Sequence, residues 1–95
     1  RLDRWEPDLN EVTPGDPRDT TTPRAMAMLL KATTLGDALT LHSRATLIGW
    51  LRGSRTNALR LGADVPVGWH LGSKTGSGAR GTTNDVGVYW TPSGA

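Results

Sequence analysis

The segment Lys74-Thr75-Gly76-Ser77-Gly78 combines an ammonium group, two hydroxyls and two glycines within five residues. On a strand beside a cleft, Lys74 would attract an anionic substrate and lower the pKa of a neighbouring group. Gly76 and Gly78 would let a substrate approach the strand backbone, where the Ser77 amide could donate to a developing oxyanion. This pattern suits acyl transfer. The same residues also suit the end of a hairpin with a solvated lysine, and the segment alone does not decide between the two.

A phosphate loop is a further interpretation of this region. Gly68 precedes Lys74 by six residues and Thr75 follows it, as in the pattern GxxxxGK[ST]. However, Ser73 stands in place of the second glycine, and the bulky Trp69 would crowd a loop whose backbone must approach phosphate. The residues that follow are rich in glycine and do not open a helix. Nucleotide binding is therefore disfavoured.

The second chemical cluster lies near the start of the chain, in RWEPDLNE at residues 4–11. Glu6 stands between a tryptophan and a proline, where partial desolvation would suit a carboxylate that acts as a general base. Asn10, four residues later, could help hold a water molecule against Glu6. The segment has no regular period, so something must close it. Arg4 and Asp19 lie at the neck of the longer irregular loop over residues 1–19, and they could form an ion pair across it.

Three motifs occur in order along the chain: RWEPDLNE at residues 4–11, RDTTTPRAM at 18–26 and KTGSG at 74–78. Together they resemble the class A serine β-lactamases over essentially the whole chain. The resemblance implies an α/β (α+β) chain with part of the serine β-lactamase/transpeptidase-like fold: the omega loop, helices and an antiparallel hairpin of the central sheet. It also implies hydrolysis of the β-lactam ring of antibiotics, such as penicillins and cephalosporins, through a serine acyl-enzyme.

The resemblance gives each residue of the first cluster a role. Glu6 matches the glutamate that activates the deacylating water, a role accepted for this family. Asn10 matches the residue that helps hold that water. The bond between Glu6 and Pro7 matches one that is cis in the family. Arg4 and Asp19 match the salt bridge that closes the neck of the omega loop.

The KTGSG segment matches the strand that lines the cleft of these enzymes. Lys74, Thr75 and Gly76 match the KTG element, followed by Gly78 as a further substrate-contacting position. Ser77 matches the residue whose backbone amide forms half of the oxyanion hole. The resemblance implies that the Lys74 and Thr75 positions, with a nearby arginine, bind a carboxylate of the substrate.

The arginine departs from one common family pattern. Many members carry it on the strand after KTG, where this chain has Thr83. Other members carry it upstream, at a position that matches Arg60. We therefore expect Arg60 to supply the guanidinium that supports the carboxylate. Arg80 is the alternative and is expected to be exposed to solvent.

Two further family elements do not occur in these residues. No serine is followed three residues later by lysine, and there is no SDN sequence. The resemblance implies that these elements precede residue 1, and that a closing strand and a C-terminal helix follow residue 95. We therefore expect the isolated chain to be inactive and to need the missing half to fold. The alternative is a non-catalytic or complementing β-lactam-binding fragment.

Two helices and a shorter third one are predicted to position the first cluster. Thr22 suits an N-cap and Pro23 the first helical position of a helix that stops near Gly36. Its inner face would hold Met26, Leu29, Leu30 and Thr33. A second helix is predicted from about Ser43 to Arg52, with an inner face of Leu47, Ile48 and Leu51 and with Trp50 in the core. The shorter helix would cover residues 56–61.

The second cluster is predicted to lie on a hairpin. The runs VGWHLGSKTG and NDVGVYW both alternate in bulk, and a glycine-rich loop joins them, which favours two antiparallel strands. Asp64 and Asp85 are expected to be turn or solubility residues. We expect residues 1–52, with the omega loop over 1–19, to belong to the helical domain and residues 53–95 to the sheet domain.

Composition argues against other classes of function. The 95 residues carry a net charge of +2 and no cysteine, which excludes disulfides and thiolate zinc sites. His42 and His70 are isolated, so we expect no metal and no cofactor. Basic residues are scattered singly, which argues against nucleic acid, and no apolar run reaches membrane-spanning length. The resemblance implies a monomeric parent enzyme that is periplasmic or secreted.

Overall fold

A computed structural model describes residues 1–94 of the chain, so residue 95 of the expected sheet domain lies outside the described part. Its elements, in chain order, are a 3-10 helix (Asp8–Asn10), α1 (Pro23–Thr34), α2 (Leu41–Arg52), β1 (His70–Ser77) and β2 (Thr83–Trp90). The two strands pair antiparallel, in a register that runs from His70 opposite Trp90 to Ser77 opposite Thr83. The predicted antiparallel hairpin is confirmed.

Helix α1 begins as its sequence predicts. The Thr22 hydroxyl accepts a hydrogen bond from the Ala25 amide at 3.1 Å, and Pro23 occupies the first helical position. Thr34 is 3% exposed, whereas the predicted inner residue Leu29 is 55% exposed. Leu29 was therefore assigned to the wrong face. The Thr34 hydroxyl can be buried because it donates to the Leu30 carbonyl within the helix, at 2.6 Å.

Helix α2 begins two residues before its predicted start. The Thr40 hydroxyl caps it by accepting a hydrogen bond from the Ser43 amide at 3.2 Å. Its predicted inner face is confirmed, with Leu51 buried at 7% exposure. Trp50 is 74% exposed, so the prediction that it lies in the core is wrong. No element within residues 1–94 covers that side of the helix.

The hairpin is covered differently on its two faces. On one face, Gly72 brings β1 so close to α2 that a Cβ atom at this position would lie 3.1 Å from Leu51 Cβ. On the other face, an irregular segment spanning residues 54–64 packs on the strands. There a Cβ atom at Gly87 would lie 3.1 Å from Leu61 Cδ1. The sheet is thus held between one helix and one turn segment.

The predicted helix over residues 56–61 is wrong, because this stretch forms turns. The Asn57 carbonyl accepts from both the Arg60 and the Gly62 amides at 2.9 Å, and the Asn57 side chain donates to Ser73 Oγ at 2.6 Å. A helix of six residues makes only a few backbone hydrogen bonds, and these do not offset the free-energy cost of nucleating the helix. Contacts of the side chains with the sheet therefore decide the backbone path. Asp64, at φ 53°, reverses the chain at the end of these turns.

The core of the described chain is small. Leu51 is the only buried hydrophobic residue among residues 1–94, and Trp5, Trp50, Leu59 and Val67 are largely exposed. No helix in the described part has the length and apolarity needed to cross a membrane. Most apolar side chains therefore gain little burial from this part of the fold.

Candidate active site

The two ends of the loop over residues 1–19, the predicted omega loop, are joined through the carboxylates of Asp19 and Asp3, and Asp3 Oδ2 accepts from the Asp19 amide at 2.9 Å. Asp19 Oδ2 lies 2.7 Å from Arg4 Nε, and the side chains of the pair are 5% and 17% exposed. Asp19 Oδ1 accepts from the backbone amides of Asp3 and Arg4, at 2.6 and 3.1 Å. Arg4 also donates to the Glu11 carbonyl at 3.0 Å, so it reaches the middle of the loop as well as its end.

These hydrogen bonds favour the ionised form of the Asp19 carboxylate at the neck of the loop. The Asp3 amide and then the Arg4 guanidinium stabilise the ionised form and lower the pKa of Asp19 from 3.8 to about 2. A second acid of the loop behaves similarly. Hydrogen bonds from the Arg18 side chain and amide lower the pKa of Asp16 to about 2. The Asp19 carboxylate that closes the loop and the Asp16 carboxylate within it therefore both stay ionised near neutral pH.

The loop presents Glu6 and Asn10 together. Asn10 Nδ2 donates to Glu6 Oε2 at 2.7 Å, across one turn of the 3-10 helix, and the peptide bond between Glu6 and Pro7 is cis. The expected desolvation of Glu6 by Trp5 is wrong for residues 1–94, because Glu6 is exposed and Trp5 is 89% exposed. The carboxylate and the amide can nevertheless share one water molecule, since each keeps a second polar atom.

The KTG segment lies on β1 as predicted, but its polar groups point in different directions. Lys74 is exposed and donates to the Thr75 carbonyl of its own strand. It also lines a cavity of about 530 Å³ between the omega loop, the start of α1 and the hairpin. Glu6 and Asn10 do not line that cavity. No hydrogen bond or ion pair in the described chain joins Lys74 to Glu6.

The backbone of Ser77 is oriented toward the open edge of β1. The next amide, that of Gly78, donates to the Thr82 carbonyl of the hairpin at 2.8 Å. Because successive amides along a strand point to opposite edges, the Ser77 N–H points away from β2. No third strand of the described chain pairs with that edge. An oxygen atom approaching the edge could accept a hydrogen bond from Ser77.

Arg60 reaches the same corner of the hairpin from the turn segment. Its guanidinium donates to Ser77 Oγ at 3.1 Å and to the Asn84 carbonyl at 2.9 Å. Thr83 lies directly opposite Ser77 in the strand register. A guanidinium carried by Arg60 therefore stands near the position where many family members place an arginine on the second strand. Thr75 on the same face shares a hydrogen bond with Thr56, with 2.6 Å between their hydroxyl oxygens.

Arg80 lies at the turn between β1 and β2 and is exposed, as expected. Its guanidinium turns toward the omega loop and donates to the Val12 carbonyl at 3.1 Å. Among the described residues this is the only hydrogen bond between residues 1–20 and the hairpin, residues 70–90. Arg80 thus bonds to the loop and Arg60 to the strands, so the two arginines hold different parts of the structure.

Comparison with known proteins identifies the family. The model of the beta-lactamase enzyme family matches residues 1–95. The chain belongs to this family. It is 57% identical over 90 residues to Beta-lactamase CTX-M-4 of Salmonella typhimurium, covering 95% of this chain and 31% of that protein. It is 53% identical over 94 residues to Beta-lactamase FAR-1 of Nocardia farcinica, covering 99% of this chain and 30% of that protein.

Solved structures extend the comparison to the fold. The structure titled "Ancestral (GNCA) Beta-lactamase class A" superposes with a TM-score of 0.91 at 57% identity, over 100% of this chain and 36% of that one. The described helices and hairpin therefore form part of the serine β-lactamase fold, and the resemblance to class A enzymes is confirmed. The chain spans about a third of the length of these relatives.

Within this β-lactamase segment, sequence reasoning missed several residues around the predicted site. Asp85 is half-buried on β2 and accepts from the Leu61 amide at 3.0 Å, so its prediction as a turn or solubility residue is wrong. Thr56 and Asn57 were also missed, although their side chains hold the turn segment to β1. One signal was available for Asp85. It occupies an alternating position of a predicted strand, where an acid facing a covered surface needs a partner.

Proposed function

We propose that this segment is part of an enzyme that hydrolyses β-lactam antibiotics through a serine acyl-enzyme. The observation that carries the proposal is the hydrogen bond between Asn10 and Glu6, 2.7 Å long, in a loop closed by Arg4 and Asp19. A carboxylate and an amide fixed side by side can orient a water molecule and accept its proton. Membership of the class A family supports this chemistry for the complete enzyme.

In the proposed reaction, residues on β1 contact the substrate, and residues of the loop activate the water molecule. A serine outside this chain attacks the lactam carbonyl, and the Ser77 amide donates to the oxyanion that forms. The lactam C–N bond then breaks, the proton of the serine hydroxyl passes to the ring nitrogen, and the acyl ester remains. Lys74, Thr75 and Arg60 bind the substrate carboxylate, while Gly76 and Gly78 let the substrate approach β1. Glu6 then removes a proton from a water held with Asn10, and the resulting hydroxide attacks the acyl ester. The proton passes from Glu6 to the departing serine oxygen, which restores both groups.

The proposal assigns each part of the chain to a larger unit. Residues 1–52 belong to the helical domain and residues 53–95 to the sheet domain, with the cleft between them. We propose further that the complete enzyme is monomeric and acts in the periplasm or the medium, where it would meet its substrates. No nucleic acid, membrane, metal or cofactor has a role in this mechanism.

Replacement of the base tests the proposal directly. In the complete enzyme, Glu6→Gln should slow deacylation by about 10²- to 10⁴-fold, the usual contribution of a general base. The acyl-enzyme should then accumulate and be visible by mass spectrometry as an adduct with the mass of the antibiotic. Asp8→Asn, an exposed acid two residues away, is the control and should turn over normally. Normal turnover by Glu6→Gln would remove Glu6 from this role.

The isolated chain is proposed to be inactive, because it lacks the nucleophile. Its small core, in which Leu51 is the only buried hydrophobic residue of the described chain, supports the proposal that the segment needs further elements to complete its packing. We expect no burst with a chromogenic cephalosporin. Hydrolysis by the 95 residues alone would contradict this.

A complementing fragment is the second candidate function, and the exposure of Trp5 and Trp50 favours it. Mixing the chain with the preceding part of the enzyme should restore hydrolysis, with the Glu6→Gln chain as the control. Retention of labelled penicillin without turnover by the mixture would instead indicate a binding fragment without catalytic activity.

A further inference from the structure

The position of the Arg60 guanidinium depends on its backbone as well as on its own side chain. Its guanidinium makes two hydrogen bonds, to Ser77 Oγ and to the Asn84 carbonyl, but arginine has a long flexible stem. A substrate carboxylate would compete for the same donors. The position of the guanidinium during catalysis therefore depends on how firmly the turn segment around Arg60 is held to the sheet.

Side chains of β2 hold that turn at the residue next to Arg60. Asp85 Oδ2 accepts from the Leu61 amide at 3.0 Å, and the Tyr89 hydroxyl donates to the Leu61 carbonyl. Both backbone groups of Leu61 are thus bonded to the sheet. The Leu61 side chain packs against the bare backbone of Gly87, where a Cβ atom would come within 3.1 Å of it. Asp85, Gly87 and Tyr89 lie at alternating positions on one face of β2. One strand therefore makes all three of these contacts with Leu61.

Of these three residues of β2, Asp85 is the unusual one. Its second oxygen, Oδ1, is buried and has no hydrogen-bond partner within residues 1–94. Burying a carboxylate oxygen without a partner opposes folding, so stability alone does not favour an acid at this position. A carboxylate does offer a stronger acceptor to an amide than a neutral side chain would. The amide it holds is adjacent to Arg60.

We propose that Asp85 is a positioning residue for substrate binding: by holding the Leu61 amide, it fixes Arg60 where its guanidinium can pair with the substrate carboxylate. This inference rests on the proposed function, because it takes Arg60 as a carboxylate ligand. Asp85 itself does not contact the substrate. Its contribution should therefore appear only with substrates that carry the carboxylate and only while Arg60 is present.

The test is a double-mutant cycle in the complete enzyme, with steady-state kinetics on a penicillin and on its neutral carboxylate ester. Asp85→Ala should raise KM for the penicillin about tenfold, the effect of losing one hydrogen bond to a charged group, and change kcat less. KM for the ester should stay unchanged. In an Arg60→Ala background, adding Asp85→Ala should raise KM no further. Asp85→Asn keeps an acceptor oxygen and should restore most of the affinity.

Two further variants keep the test decisive. Tyr89→Phe removes the second bond to Leu61 and keeps Asp85, so it should raise KM in the same carboxylate-dependent way, and it carries the test if Asp85→Ala does not fold. Asp37→Ala removes an exposed acid remote from the sheet and should leave KM unchanged. Equal changes with penicillin and ester, or additive effects with Arg60→Ala, would overturn the proposal. A wild-type enzyme that hydrolyses neither substrate would instead contradict the proposed function.

Discussion

Asp19 joins the two ends of the loop over residues 1–19 through its carboxylate, while its amide donates to Asp3 Oδ2 at 2.9 Å. Both of its carboxylate oxygens are occupied, one by the Arg4 guanidinium and one by the amides of Asp3 and Arg4. Every partner is a donor, so the position needs a group that only accepts. Asparagine has nearly the same shape but would turn an NH₂ group toward one of these donors. The chemistry of the site therefore selects the ionised acid.

The neck should open in acid. Because folding lowers the pKa of Asp19 from 3.8 to about 2, this carboxylate stabilises the closed loop above pH 3.8, and that contribution is lost as pH falls toward about 2. Hydrogen exchange followed by mass spectrometry should show protection factors of the Asp3 and Arg4 amides falling over this range, while α1 keeps its protection. Asp16→Asn is the control and should leave the loss in place. Protection that stays constant down to pH 2 would contradict the prediction.

Packing between elements depends on a single missing side chain. At Gly72 an added Cβ would lie 3.1 Å from both Leu51 Cβ and Trp90 Cζ3, and 3.3 Å from Arg52 Cγ. The backbone of β1 thus takes the place that a side chain would fill in an ordinary helix–sheet contact. The Arg52 guanidinium lies 5.8 Å from the centre of the Trp90 ring and covers the end of this contact.

Two glycine replacements should therefore have opposite effects on stability. In the complete enzyme, Gly72→Ala should lower the free energy of unfolding by about 1–3 kcal/mol, because α2 must move away from β1. Gly49→Ala lies within α2, where no atom of the described chain outside the neighbouring helix backbone and the adjacent residues comes within 4 Å of the new Cβ. It should raise the free energy of unfolding by about 1 kcal/mol through helix propensity. Urea denaturation measures both, and a neutral Gly72→Ala would show that the contact is loose.

At the scale of the whole molecule, the loop that carries Glu6 and the strand that carries Ser77 are separate parts with little between them. Among residues 1–94, the Arg80 side chain makes the single hydrogen bond that joins the omega loop to the hairpin, at the Val12 carbonyl. The partners are 68 residues apart, so closing this contact fixes the relative position of two distant segments.

Loss of this contact should loosen the middle of the omega loop. Arg80→Ala in the complete enzyme should increase hydrogen exchange of residues 11–15 by about two- to tenfold, matching a net hydrogen bond of about 0.5–1.5 kcal/mol. Arg24→Ala, an exposed arginine on α1, is the matched control and should leave those amides unchanged. Equal exchange in both variants would mean that other contacts hold the loop.

Local patterns predicted the elements well, and contacts across the chain explain the failures. The Thr22 cap, the Pro23 start and the alternation of the two strands each depend on neighbouring residues, so the sequence was sufficient. The helix predicted over residues 56–61 failed because side chains of the sheet hold that segment in turns. Its competing partners lie 16 to 24 residues away and leave no periodic signal.

In the candidate site, too, local contacts could be predicted from the sequence, whereas contacts between distant residues could not. Glu6 and Asn10 are four residues apart, and their hydrogen bond follows from one local turn. Arg60 was assigned by resemblance, because no spacing in the sequence connects it to Ser77. The role of Asp85 in holding Leu61 needed the strand register, which fixes the face on which Asp85 lies. Long-range positioning was therefore the part that the sequence did not reveal.

The short bond between the Thr56 and Thr75 hydroxyls has a consequence for the order of hydrogens in the cleft. Either oxygen can be the donor, so the pair has two proton arrangements of the same heavy-atom geometry. Each hydroxyl has one proton to give. A carboxylate arriving at Thr75 can only accept, so Thr75 must donate to it and Thr56 must donate to Thr75. An anion therefore selects one arrangement, and a neutral acceptor-poor ligand leaves both open. The pair therefore adapts its protons to a ligand that only accepts hydrogen bonds, although neither hydroxyl carries a charge.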